Sequence, residues 1–120
     1  MKPIQVISKM FEARDCIHLV HLNTTSYAEH KALGKFYEEW TDLTDTFIET
    51  YAGRYSRIEG EIKIEVASGY NSVEYLQKLR AFVQIEAASI IAPTLDADLA
   101  NILADMLGLI NHTLYLLTLK

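Results

Sequence analysis

Three histidines and a run of acids are the residues in this sequence whose types and spacing suit chemistry. His18 and His21 stand three apart, which places them on one face of a helix, and His30 follows nine residues later. Glu38, Asp42, Asp45 and Glu49 come next, at spacings of four, three and four, so their carboxylates form one stripe. Imidazole and carboxylate are the donors that hold iron, manganese or zinc. Crowded carboxylates repel one another, and a divalent cation relieves that repulsion. The same spacing also describes the solvated flank of an ordinary amphipathic helix.

Positioning these groups requires helices, and four are predicted. The first runs from about Pro3 to Leu22, with Ile4, Ile7, Met10, Phe11, Ile17 and Val20 at near-helical intervals. Pro3 suits its first turn, where no backbone N–H is needed. Asn23-Thr24-Thr25-Ser26 interrupts the pattern, and Ser26 with Glu29 reads as a capping box. The second helix then continues to about Ala52, before Gly53, on an apolar stripe of Leu33, Phe36, Tyr37, Trp40, Leu43, Phe47, Ile48 and Tyr51. The carboxylate stripe flanks that face, where it meets solvent or a neighbouring subunit.

Residues Arg54 to Tyr70 form a long link. Within it Glu61-Ile62-Lys63-Ile64-Glu65-Val66 alternates with period two, which predicts a short extended piece between Gly60 and Gly69. Asn71 followed by Glu74 opens a third helix reaching about Ile91, and Pro93 ends it. Thr94 is the expected cap of a fourth helix, with Asp96 and Asp98 in its first turn, running nearly to Lys120.

The short first and last connections predict two antiparallel hairpins. The middle link, at ~3.3 Å per extended residue, is long enough to travel the length of a helix of ~30 Å. The expected fold is therefore all-α: a ferritin-like four-helix bundle in which a long crossover joins two hairpins, forming a single domain over residues 1–120. A simple up-down bundle with a loose middle loop is the competing arrangement.

Two segments resemble the small ferritins called Dps. His21-Leu22-Asn23-Thr24-Thr25-Ser26-Tyr27-Ala28-Glu29-His30 is similar to that family's His-Trp-Asn segment with its second histidine. Leu43-Thr44-Asp45-Thr46-Phe47-Ile48-Glu49 is similar to its Asp-x-x-x-Glu, with Asp45 and Glu49 at the family's distances from His30. The resemblance covers roughly residues 17–55 by motif and the last helix in general pattern. It implies an oligomer in which His21 and His30 of one subunit, with Asp45 and Glu49 of its two-fold mate, bind ferrous iron for oxidation by peroxide or oxygen. This sequence departs from the pattern at Gly34, where the family carries an acid, and at Leu22, where it carries tryptophan. The Lys-rich DNA-binding tail and any Glu-x-x-His are absent. The cluster around His21 to Leu33 also resembles a group of small phage-encoded Dps-like proteins, which implies a role in a virus's life cycle. The alternative function is a non-enzymatic helical oligomer, either a phage structural or accessory protein or a module that captures a host protein or small molecule.

Composition narrows the classes. Half of the residues are hydrophobic and 22% are charged, a balance that supports a packed core. A net charge of −5 disfavours general binding to DNA. The start lacks a signal-peptide core, and the apolar stretch from Leu99 to Leu119 carries Asp105, Asn111 and His112, so a membrane span is not expected and a cytoplasmic setting is. Cys16, the sole cysteine, fits a reducing compartment and reads as a packed apolar residue. His112 with Asp98, Asn101 and Asp105 reads as a wet face. The seven tyrosines read as interface material.

Overall fold

The computed structural model describes residues 1–119 and is all-helical: α1 (Pro3–Asn23), α2 (Tyr27–Arg54), α3 (Ser72–Ile85) and α4 (Ala97–Leu116), with a 3₁₀ turn at Ala87–Ile90. The four helices pack around one core. Trp40, Phe36, Phe47, Met10, Ile17, Leu33, Leu76, Leu99, Met106 and Ile110 are its largest buried side chains. Each helix supplies an apolar stripe of period 3.6, and burying these stripes together is what stabilises helices too weak to persist alone. The Trp40 indole N–H donates to the Met10 carbonyl at 2.9 Å, so even the bulkiest core ring has its polar atom satisfied.

α1 packs on α2, α2 on α4, and α4 on α3, with a looser α1–α3 seam. Among the described residues no helix is long and apolar enough to cross a membrane.

The local start signals act largely as expected. Ser26 Oγ accepts from the Glu29 N–H at 3.2 Å, and Asn71 Oδ1 accepts from the Glu74 N–H at 3.0 Å. The Glu29 carboxylate, however, does not return to Ser26. It accepts from the Ser72 hydroxyl at 2.7 Å and ties the start of α2 to the start of α3.

Three boundaries differ from expectation, the first being the end of α2, which runs through Gly53 to Arg54. α3 stops at Ile85, and the chain reaches Ile90 as a 3₁₀ turn, tightening ahead of Pro93. Asp96, and not Thr94, occupies the residue position just ahead of α4. The Asp96 carboxylate caps nothing: it accepts from Ala92 N–H at 2.8 Å, from Arg54 Nε at 2.8 Å and from the Tyr55 hydroxyl. This buried node joins the end of α2 to the entry of α4. The donors around it, Ala92 N–H foremost, then Tyr55 and Arg54, hold Asp96 below the usual carboxylate range.

Residues 55–71 contain no paired strand. They form an extended strap along α1. Gly60, at φ +141°, sits against Ile4, where an added Cβ would lie 3.1 Å from the Ile4 side chain. Further on, the Glu65 N–H donates to Glu12 at 3.1 Å and the Glu65 carbonyl accepts from the Cys16 thiol at 3.4 Å.

Candidate functional site

His21 and His30 meet where α1 turns into α2. Their rings stack with centroids 4.0 Å apart and planes 14° from parallel. The His21 Nδ1–H donates to the His30 carbonyl at 2.6 Å, and the His30 Nδ1–H donates to the His21 carbonyl at 3.0 Å. A carbonyl only accepts, so both rings must carry a proton on Nδ1. In the neutral ring this leaves the Nε2 lone pair open. His18 continues the column, 6.0 Å from His21 on one side and stacked at 4.0 Å on Tyr37 on the other.

Gly34 explains how the column fits. A Cβ there would lie 2.8 Å from His21 Cε1 and 3.2 Å from its Nδ1, closer than side chains pack. The position where the Dps pattern expects an acid is therefore occupied by the face of an imidazole. Spacing alone showed that an acid was missing; it could not show that a ring had taken its room.

The column borders a groove lined by Lys31, Lys35, Glu38, Leu116 at the end of α4 and Leu119 just beyond it. The groove is open to a ligand from outside, but its nearer charges are cationic. Asp45 and Glu49 lie elsewhere. They are exposed on α2, 15 and 19 residues beyond His30, which at ~1.5 Å per residue is roughly 22 and 28 Å along the helix. Ion pairs among the described residues are Lys9–Glu12, Arg14–Asp15 and Arg54–Asp96, so neither Asp45 nor Glu49 has a cationic partner within the chain.

Among the described residues no three metal-donor side chains converge on a common point. Nor do the stacked histidines chelate as they stand. An ion bound to imidazole lies in the ring plane about 2.1 Å from nitrogen, and two planes held nearly parallel about 4 Å apart do not meet at that range. The pair presents two separate imidazole donors. His112, stacked on Tyr115, faces a shallow depression with Glu39, Asp42 and Asp105, which matches a wet face.

Sequence reasoning did not find the Asp96 node. Its only sequence signal was an acid near a helix start, a common feature with an ordinary explanation.

The structure thus defines an all-α bundle with a histidine column at one end and an acidic stripe along α2. Residues 21–117 match the model of a family described as a family of unknown function (DUF5856), and the chain belongs to that family. No curated protein and no solved structure matches it.

Proposed function

We propose that this chain is a ferritin-like, Dps-like bundle that assembles through α2 and binds ferrous iron between copies. The topology is supported by contact order along the helices. His21 meets His30 and Met10 meets Trp40, so α1 and α2 run in opposite directions. Arg54 meets Asp96, while Leu116 and Leu119 reach the groove of His30, so α4 runs against α2. The strap between α2 and α3 passes Ile4 and then Cys16, covering the length a crossover needs.

The single observation carrying the functional reading is the separation of donors along α2. The exposed face is basic at Lys31 and Lys35 beside the histidines, then acidic at Glu38, Asp42, Asp45 and Glu49. Within one chain these halves cannot meet. Pairing α2 antiparallel with its copy about a two-fold axis sets basic against acidic and brings His21 or His30 of one copy towards Asp45 and Glu49 of the other. That pairing is isologous, the commonest symmetry of oligomers. One imidazole Nε2 and two carboxylates would hold the iron, which is the substrate and gives up an electron to peroxide or oxygen.

The test is anaerobic titration of metal-free protein with ferrous iron, followed by peroxide or oxygen and ultraviolet absorbance. Stoichiometric binding and a ferric signal, both lost in Asp45→Ala/Glu49→Ala, are expected. Uptake that persists in the double variant refutes the reading.

A second reading is favoured by Gly34 and by the parallel rings: the histidines are a structural clasp in a non-catalytic helical oligomer that serves a virus or captures a host partner. On that reading the double variant alters assembly alone, and neither protein responds to iron.

A further inference from the structure

The strap that follows α2 has one finished edge and one open edge. In an extended chain the N–H and C=O of one residue point to the same side, and those of the next residue point to the other. Glu65 turns both of its groups towards α1, to Glu12 and to the Cys16 thiol. The Ala67 backbone, two residues on, also reaches that thiol. Ile62, Ile64 and Val66 therefore direct their backbone groups away from α1, and among the described residues those groups have no hydrogen-bond partner. Ile62 and Val66 are also 41% and 42% exposed, so this edge is apolar as well as unpaired.

We propose that this edge pairs with the same edge of a second copy, forming a two-stranded antiparallel ribbon centred on Ile64. The sequence is self-complementary in that register. Ile64 faces Ile64 of the second copy, and Ile62 faces its Val66. Lys63 faces its Glu65, and Glu65 its Lys63. The residues whose backbone groups point outward, 62, 64 and 66, are those that this register makes into hydrogen-bonded pairs. The charged pairs fall on one face of the ribbon and the apolar pairs on the other. A one-residue slip in either strand would set an isoleucine opposite a charge, so the register is fixed by side chains as well as by backbone. An unpaired apolar edge favours association, and here the occupant whose charges and spacing fit is the chain itself. The argument stands on the strap and does not require iron.

Sedimentation equilibrium, with circular dichroism as a folding control, tests it. Lys63→Glu places like charges opposite one another at both cross-strand pairs and should raise the dissociation constant roughly tenfold. Lys63→Glu/Glu65→Lys restores the complement and should return it close to the wild-type value. Ile64→Pro removes the central N–H donors and should weaken the dimer at least as much. Amide exchange at Ile62, Ile64 and Val66 should slow as protein concentration rises. A wild-type chain that stays monomeric, or association unchanged in both Lys63→Glu and Ile64→Pro, overturns the ribbon. Association weakened by Lys35→Glu and indifferent to Lys63→Glu overturns it too, and leaves the α2 pairing standing.

Discussion

Replacing Gly34 with alanine should destabilise this protein in one background and stabilise it in another. Gly→Ala inside an exposed helix ordinarily gains about 1 kcal/mol, because alanine restricts the unfolded chain and favours the helix. At Gly34 the new methyl would lie 2.8 Å from His21 Cε1, and the ring must leave. Leaving breaks the hydrogen bond from its Nδ1 to the His30 carbonyl, worth about 1 kcal/mol net, and a stacked contact worth roughly 0.5–1.5 kcal/mol; the His30 ring keeps its own bond to the His21 backbone carbonyl. The balance is a loss of about 0.5–1.5 kcal/mol in the wild-type background. In His21→Ala the ring is already gone and its roughly 1.5–2.5 kcal/mol already lost. There Gly34→Ala should return about 1 kcal/mol. Urea unfolding of the four proteins at one fixed concentration gives the cycle, with an expected coupling of about 1.5–2.5 kcal/mol. If Gly34→Ala has the same sign and size in both backgrounds, the ring does not need the glycine and the account of the clasp is wrong.

Other parts of the core give simpler outcomes. The Thr44 hydroxyl is fully buried on α2 and is the one buried side-chain polar atom without a hydrogen-bond partner among the described residues. Thr44→Val keeps the shape and removes the orphan, and should raise stability by about 1–2 kcal/mol in thermal or urea unfolding. The Asp96 node sets an acid-side limit. Its folded carboxyl titrates below the ordinary 3.8, so the folded state binds this proton less readily than the unfolded chain. The stability it contributes is complete above the unfolded value and is lost as pH falls through the folded one. Asp96→Asn should flatten the dependence of the urea midpoint on pH below about 4, and an unchanged slope would remove Asp96 from that role.

The helices were legible because their information is local. The stripe through Leu33, Phe36, Trp40 and Phe47 repeats with the helical period, and each of these side chains is buried. The start of α2 was readable from Ser26, and that of α3 from Asn71, because a cap is satisfied within three residues. The end of α3 was less so, since Pro93 limits how far a helix can go without saying where it stops. That His21 and His30 serve one site was implied by the family resemblance alone. What they do there was not readable, because their bonds run to each other's backbone and depend on how closely two helices approach at Gly34. Asp96 lay further out of reach: its side-chain partners Tyr55 and Arg54 are 41 and 42 residues away, and nothing local marks an acid that will be buried.

The Arg54–Asp96 contact also determines how the chain between them can vary. That excursion, which contains the strap and all of α3, leaves and returns to one carboxylate, with its ends 42 residues apart in sequence. The entropy of closing such a loop grows only with the logarithm of its length, so ten added residues cost about 0.2 kcal/mol. The strap before Gly60 is therefore the place where relatives can differ in length almost freely. The three-residue turn from Thr24 to Ser26, held from both sides by the histidine clasp, has no such freedom.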